Sequence, residues 1–259
     1  MKLVIKIGTS TLTHPTGLMD VRKVTTLCRV ISDLKNAGHE IVLVSSGAIG
    51  MGVGKLHLAE RPTDIPTKQA AAAVGQCELM DVYDRMFGEY HHTVAQILLT
   101  NDDFTHEDRH TNFTNTLNRL LSLGALPIIN ENDTVATGEI KLGDNDTLSA
   151  LVAVSVKADL LVLLSDVDGL YTADPRKDPH ATLVQEVSGV TSALEQTAGS
   201  AGSARGTGGM KTKLSAAKLC NERGITVALI SGDHPDLLYD AVEGKPFRGT
   251  RFLAEGEAK

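Results

Sequence analysis

Lys2-Leu3-Val4-Ile5-Lys6-Ile7-Gly8-Thr9-Ser10 opens as an apolar, β-branched run interrupted by one lysine and closed by a glycine turn. A short run of this kind, with no strict polar alternation, reads as a strand covered on both faces. Similar runs recur at 40–45 (EIVLVS), 93–99 (TVAQILL), 125–130 (ALPIIN), 159–165 (DLLVLLS) and 225–231 (ITVALIS). Between them, 21–37, 66–88, 112–123, 145–157 and 210–223 carry Leu, Ala, Val and Met at helical spacing. Strands alternating with helices imply an α/β fold, a mostly parallel central sheet sandwiched between helical layers.

Four strands end in a polar or glycine-rich turn that leads into a helix: KIGTS, VSSGAIG, INENDT and LSDVDG. Ligands of open α/β sheets bind beyond the carboxyl ends of the strands, so these turns are expected to converge on one site. The stretch Thr197–Gly209 (TAGSAGSARGTGG) resembles a linker, but a helical pattern follows at once, which favours an active-site loop.

The 259 residues fit one large domain. Lys+Arg 25 against Asp+Glu 32 gives a net charge of −7, and the chain lacks both a basic run and tryptophan. That balance argues against nucleic-acid or anionic-membrane partners. The amino-terminal apolar stretch is too short and too polar for a signal peptide or membrane span, so a cytoplasmic location is expected. Cys28, Cys77 and Cys220 are odd in number and widely spaced, suggesting neither a disulfide framework nor a zinc site, and each reads as a small buried hydrophobe in a helix.

Chemistry concentrates in a few places. Lys6 stands near the end of the first strand, where it can reach a phosphate cradled by the Gly8 turn. Ser45-Ser46-Gly47 forms a second turn able to expose backbone N–H groups. Neither GxxxxGK[ST] nor a GxGxxG after the first strand is present, which removes the P-loop and dinucleotide readings. Asn130-Glu131-Asn132-Asp133-Thr134, followed by Gly143-Asp144-Asn145-Asp146, is the densest polar constellation. Helix capping or turn chemistry accounts for one or two of these residues but not the set. Asp166 and Asp168-Gly169 follow the fifth strand, and Gly206-Thr207-Gly208-Gly209-Met210-Lys211-Thr212-Lys213 is a glycine-rich loop entering a helix.

These motifs, in this order, resemble the amino acid kinase family, whose fold is also described as carbamate kinase-like. The strings VSSGAIGMG, PIINENDTVAT, KLGDNDTLSA, DGLYTADPR and GTGGMKTK carry the resemblance, which runs from Lys2 to about Phe252. PIINENDTVAT with GDND points to the branch that phosphorylates the side-chain carboxylate of glutamate, the first step of proline biosynthesis.

The resemblance implies that Lys6 and Lys213 neutralise charge on the transferring phosphoryl group while Asp146 orients them. It implies that Ser46, Gly47, Asn130, Asp133 and Asn145 hold L-glutamate. Lys6, Gly8, Ser165, Asp166, Tyr171, Asp174 and the run Thr207, Gly208, Gly209, Met210, Lys211, Thr212 and Lys213 would bind ATP, with Mg²⁺ bridging its phosphates and no dedicated protein metal site. It further implies an amino-terminal lobe (about 1–155) for glutamate and a carboxyl-terminal lobe (about 156–255) for ATP. Many family members continue into a PUA domain, and the expectation here is a kinase without that module. A homo-oligomer and a transient partnership with glutamyl phosphate reductase are further expectations from the family.

Two other readings are weighed. One is a kinase of this fold acting on another carboxylate or a phosphorylated acceptor; the amides and acids at 130–146 suit an ammonium-bearing substrate better. The other is a non-catalytic sensor, which would have had no need to keep both Lys6 and Lys213 beside intact glycine turns.

Overall fold

The structure is a computed structural model that describes residues 1–14, 18–136, 145–175, 177–191, 194 and 209–256. The opening stretch is strand β1 (Lys2–Ile7), followed by the single-turn helix α1 (Thr9–Leu12) and by α2 (Val21–Asn36). Strand β2 (Glu40–Val44) leads into α3 (Ala48–Lys55) and the long helix α4 (Ile65–Gly88). After β3 (Val94–Leu99), α5 (Asp102–Thr105) and α6 (Glu107–Ser122) come β4 (Leu126–Glu131), α7 (Asn145–Val156) and β5 (Leu160–Ser165). The remaining elements are β6 (Leu170–Tyr171), β7 (Leu183–Val184), β8 (Glu186–Val187), α8 (Met210–Asn221), β9 (Thr226–Ser231), α9 (Leu237–Val242) and β10 (Gly249–Phe252).

The main sheet has the order β3-β4-β2-β1-β5-β9-β10-β8, and all its pairings are parallel except β9 with β10. Alternate residues of each strand divide between two cores, as a period of two requires. Leu3, Ile5 and Ile7 of β1 join Leu43, Ile128, Val162 and Ile230 beneath α2 and α4. Val4, Val44, Ile129, Leu163 and Leu229 face α6, α7 and α8 on the other side. Both faces are therefore dry, the layers run α/β/α, and the apolar strands find their explanation there.

The six expected strands and the expected helices match the structure to within a residue or two, apart from α6, which starts at Glu107 rather than 112. Glu107 and Asp108 lie in its first turn, where carboxylates complement the helix dipole. Cys28 and Cys220 are buried, and burial pushes each thiol up to about 12. Cys77 corrects the expectation for it: on α4 it faces solvent, because the helix buries the stripe through Ala72, Gln76, Leu79 and Tyr83 instead.

Helices α3 and α4 pack with their backbones almost touching. A Cβ built on Gly75 would lie 1.8 Å from the Ala48 carbonyl oxygen, and one on Gly52 would lie 1.8 Å from that of Ala71. Only hydrogen fits at either position. This packing brings the middle of α4 against the turn that opens α3.

Candidate active site

Lys6, one residue from the end of β1, pairs in register with Val44 of β2 on one side and Leu163 of β5 on the other. Chain order reverses direction across β1, the place where open α/β sheets form their binding crevice. The Lys6 side chain is 9% exposed and its Nζ lies 2.6 Å from Asp146 Oδ1. Lys213, from the first turn of α8, donates from Nζ to Asp146 Oδ2 at 3.1 Å, and the Thr212 hydroxyl donates to the same oxygen at 2.9 Å. One fully buried carboxylate thus gathers two lysines from opposite ends of the sequence.

Burial alone would raise the pKa of Asp146, yet the charges of Lys6 and Lys213, helped by Lys6 and Thr212 as donors, outweigh it and hold the group below the ordinary carboxylate range. Asp146 also sits in the first turn of α7, where the helix dipole favours an anion. Among the described residues two ammonium groups, Lys6 and Lys213, meet at this one buried carboxylate. A pair of closely set cations suits a polyanion.

Gly8 follows β1 beside the lysine: a Cβ there would lie 3.8 Å from Lys6 Nζ. Gly209 starts α8 with no side-chain cap, so among the described residues the first N–H groups of that helix are placed to meet a ligand beside Lys213. Lys211 is exposed, while Met210 and Thr212 are half-buried and the Thr212 hydroxyl is within 2.8 Å of the Gly209 carbonyl. Thr207 and Gly208, like Gly143, Asp144 and most of the Thr197–Gly209 stretch, lie outside the described residues.

A second cluster adjoins the first through Asn145, the neighbour of Asp146. Asn145 Nδ2 donates to Ser46 Oγ at 2.7 Å, to Asn130 Oδ1 at 3.1 Å and to the Ser45 carbonyl. Asn130 Oδ1 also accepts from the backbone N–H of Glu131 at 2.9 Å, and Asn130 Nδ2 donates to Gln76 Oε1 at 3.0 Å. The Ser45 and Tyr83 hydroxyls share a 2.9 Å hydrogen bond within the core. Gly47 takes φ +100°, a left-handed turn natural to glycine, which swings the chain from β2 into α3. Asp133 is half-buried two residues beyond β4.

The structure thus brings together Lys6, Asp146, Thr212 and Lys213, and beside them Ser46, Asn130 and Asn145. Ser165 lies at the end of β5 and its hydroxyl donates to Asp166 at 3.1 Å. Tyr171 directs its hydroxyl to Asp168 at 3.0 Å, and Arg248 binds the same carboxylate at 2.9 Å. Asp174 is half-buried in the following turn, where its carbonyl accepts from Lys177 and Asp178. Sequence reasoning missed Gln76 and Tyr83, which sit in an alanine-rich helical stretch where nothing separates them from ordinary helix residues.

The amino acid kinase family model matches residues 1–231. The chain is 50% identical over 258 residues to the glutamate 5-kinase of Clostridium perfringens, covering 98% of this chain and 96% of that protein. It is 50% identical to the glutamate 5-kinase of Symbiobacterium thermophilum, with 98% and 97% covered. The glutamate 5-kinase of Caldanaerobacter subterraneus is 48% identical, with 98% of this chain and 68% of that protein covered. Among solved structures, a carbamate kinase from Giardia lamblia bound to AMP-PNP superposes with a TM-score of 0.70 at 18% identity, covering 98% of each chain. A UMP kinase from Ureaplasma parvum reaches 0.67 at 17% identity, covering 97% of this chain and 98% of that one. The two structures speak for the fold, and the family match and the near-full-length relatives for the lineage: the chain belongs to the amino acid kinase family.

Proposed function

We infer that the chain is a glutamate 5-kinase, transferring the γ-phosphoryl group of MgATP to the side-chain carboxylate of L-glutamate in the first step of proline biosynthesis. The observation that carries the reading is the junction at Asn145-Asp146, where a buried two-lysine anion site meets an amide-and-hydroxyl cluster. The full-length relatives named glutamate 5-kinase support the choice of acceptor.

A glutamate side chain ionises near pH ~4.3 and is already a nucleophile at neutral pH, so no general base is required. A carboxylate oxygen attacks the γ-phosphorus, the bond from that phosphorus to the β,γ-bridging oxygen breaks, and ADP leaves with the electron pair. The products are ADP and an acyl phosphate. Catalysis then rests on alignment and on cancelling negative charge along the line of transfer. Lys6 and Lys213 supply that charge from opposite sides of Asp146, which fixes both ammonium groups before substrate arrives. Preset cations of this kind contribute about 3 kcal/mol each to transition-state stabilisation.

Asn145 spends its NH₂ group on Ser45, Ser46 and Asn130, so its Oδ1 is the atom left for substrate. Ser46 Oγ accepts from Asn145 and keeps its own proton to donate to a substrate oxygen. Asp133 and Asn145 Oδ1 offer acceptors to an α-ammonium, whereas a phosphorylated acceptor would call for arginine or lysine there. Magnesium enters as part of MgATP, held by the phosphates, as is usual for this ion. Among the described residues no group of three or more His, Cys, Asp or Glu side chains forms a metal cage, and both Asp146 oxygens are engaged by lysine.

The amino-terminal lobe, about 1–155, would bind glutamate and the carboxyl-terminal lobe, about 156–255, ATP. Ser165, Asp166, Tyr171, Asp174 and the described part of the glycine-rich loop, 209–213, would line the nucleotide side. We place the enzyme in the cytoplasm as a homo-oligomer that hands its labile acyl phosphate to glutamyl phosphate reductase. Light scattering alone and with the reductase tests both associations. Among the described residues no helix is long and apolar enough to cross a membrane. Purified protein with MgATP should form hydroxylamine-trappable acyl phosphate from L-glutamate; ADP release without hydroxamate would overturn the assigned acceptor.

A further inference from the structure

Gln76 is 7% exposed in the middle of α4, and its side chain belongs to no part of the phosphoryl-transfer machinery described above. Its neighbour Gly75 admits the Ala48 carbonyl at a distance no side chain would allow, and this contact carries Gln76 to the end of β4. There Gln76 Oε1 accepts from Asn130 Nδ2 at 3.0 Å. Both amide orientations are fixed by chemistry. The Glu131 backbone N–H can only donate, so the Asn130 atom facing it is Oδ1. Asn130 Nδ2 then faces Gln76, whose facing atom is Oε1. Gln76 Nε2 finds no acceptor among the described residues, a costly arrangement for a buried donor.

We propose that Gln76 is a positioning residue for the acceptor substrate, acting through Asn130 on Asn145 and Ser46. Three amides in series, Gln76, Asn130 and Asn145, join α4, β4 and α7, and end on Ser46 Oγ. Without Oε1, Asn130 Nδ2 is buried and unpaired, and the amide is held only through its Oδ1, by the Glu131 N–H and Asn145 Nδ2, so nothing on its far side fixes its rotation. Asn145 then loses the register that presents Oδ1 to the substrate. The ammonium-binding corner loosens while the two lysines keep their places around Asp146. The inference rests on glutamate being the acceptor.

The test is steady-state kinetics of Gln76→Met, which keeps length and volume but neither accepts nor donates; Gln76→Leu replaces it should the first variant fail to fold. The expected result is a KM for glutamate raised by about tenfold, the size of one lost hydrogen bond, with KM for ATP within about twofold. In an Asn130→Ala background the same substitution should raise KM for glutamate no further. A loss of kcat with both KM values unchanged means that Gln76 only supports the fold and overturns the proposal, as does an undiminished effect in the Asn130→Ala background. Wild-type protein run alongside separates the two readings: its failure to turn over glutamate overturns the acceptor assignment, and this inference with it.

Discussion

Lys213 Nζ donates at 3.1 Å to Asp146, a carboxylate with 0% exposure, so the pair is locked in place before any phosphate arrives. The other Asp146 oxygen forms an ion pair with Lys6 at 2.6 Å. Desolvating charged groups is costly, and removing one partner from such a buried set is more costly than the set is worth intact. Asp146→Asn should therefore lower stability by about 3 kcal/mol and kcat by about 10²-fold. Thermal unfolding should show MgATP protecting the variant more than the wild type, because the phosphates then supply the missing counter-charge. Equal protection would contradict the assigned role.

Acid sensitivity follows from the same carboxylate. Its folded pKa is lowered from an ordinary value of 3.8, so its contribution is complete above that value and is lost as pH falls through the lower, folded pKa. The stability gap between wild type and Asp146→Asn should be constant from about pH 5 upward and shrink below pH ~3.8. Urea midpoints measured across pH 3 to 7 check this, and a gap that narrows instead toward neutral pH would contradict it.

On the proposed mechanism, in which each lysine is a preset cation for the transferring phosphoryl group, Lys6→Ala and Lys213→Ala should each reduce kcat by about 10²-fold or more. Stopped-time ADP assays at saturating glutamate and MgATP measure it. Near wild-type turnover in either variant would remove that lysine from the mechanism.

Gly75→Ala should destabilise the protein by about 3 kcal/mol, because the new Cβ would fall 1.8 Å from the Ala48 carbonyl oxygen and α3 and α4 would have to separate. The shift would also carry Gln76 away from Asn130, so KM for glutamate should rise as well. Chemical denaturation and kinetics on the same preparation report both. An unchanged denaturation midpoint would show that the helices separate at no cost.

Much of this architecture was legible in the amino acids. The strands of the parallel sheet are nearly continuous Val, Ile and Leu because both faces are covered, and that pattern survives without any tertiary knowledge. Lys6, Asp146 and Lys213 were legible as residues of a recognisable family, and they converge where the end of β1 meets the first turns of α7 and α8. Strand β10 was not legible: Gly249-Thr250-Arg251-Phe252 carries little β signal and is defined by its partners. It pairs antiparallel with β9, and Thr250 Oγ1 accepts from the Leu170 N–H and donates to the Val184 carbonyl. Helix α3, AIGMGVGK, has three glycines and weak helical propensity, and it owes its bounds to the close approach of α4. Gln76 was invisible for a related reason, since its meaning lies in a contact with Asn130 across 54 positions of sequence.

The most direct measurement of the central claim is hydroxamate formation by purified protein with MgATP and hydroxylamine, comparing L-glutamate with L-aspartate and N-acetylglutamate. Hydroxamate from L-glutamate alone, matched mole for mole by ADP, is the predicted result. Hydroxamate from either of the other acids at a comparable rate, or none from L-glutamate, would contradict it.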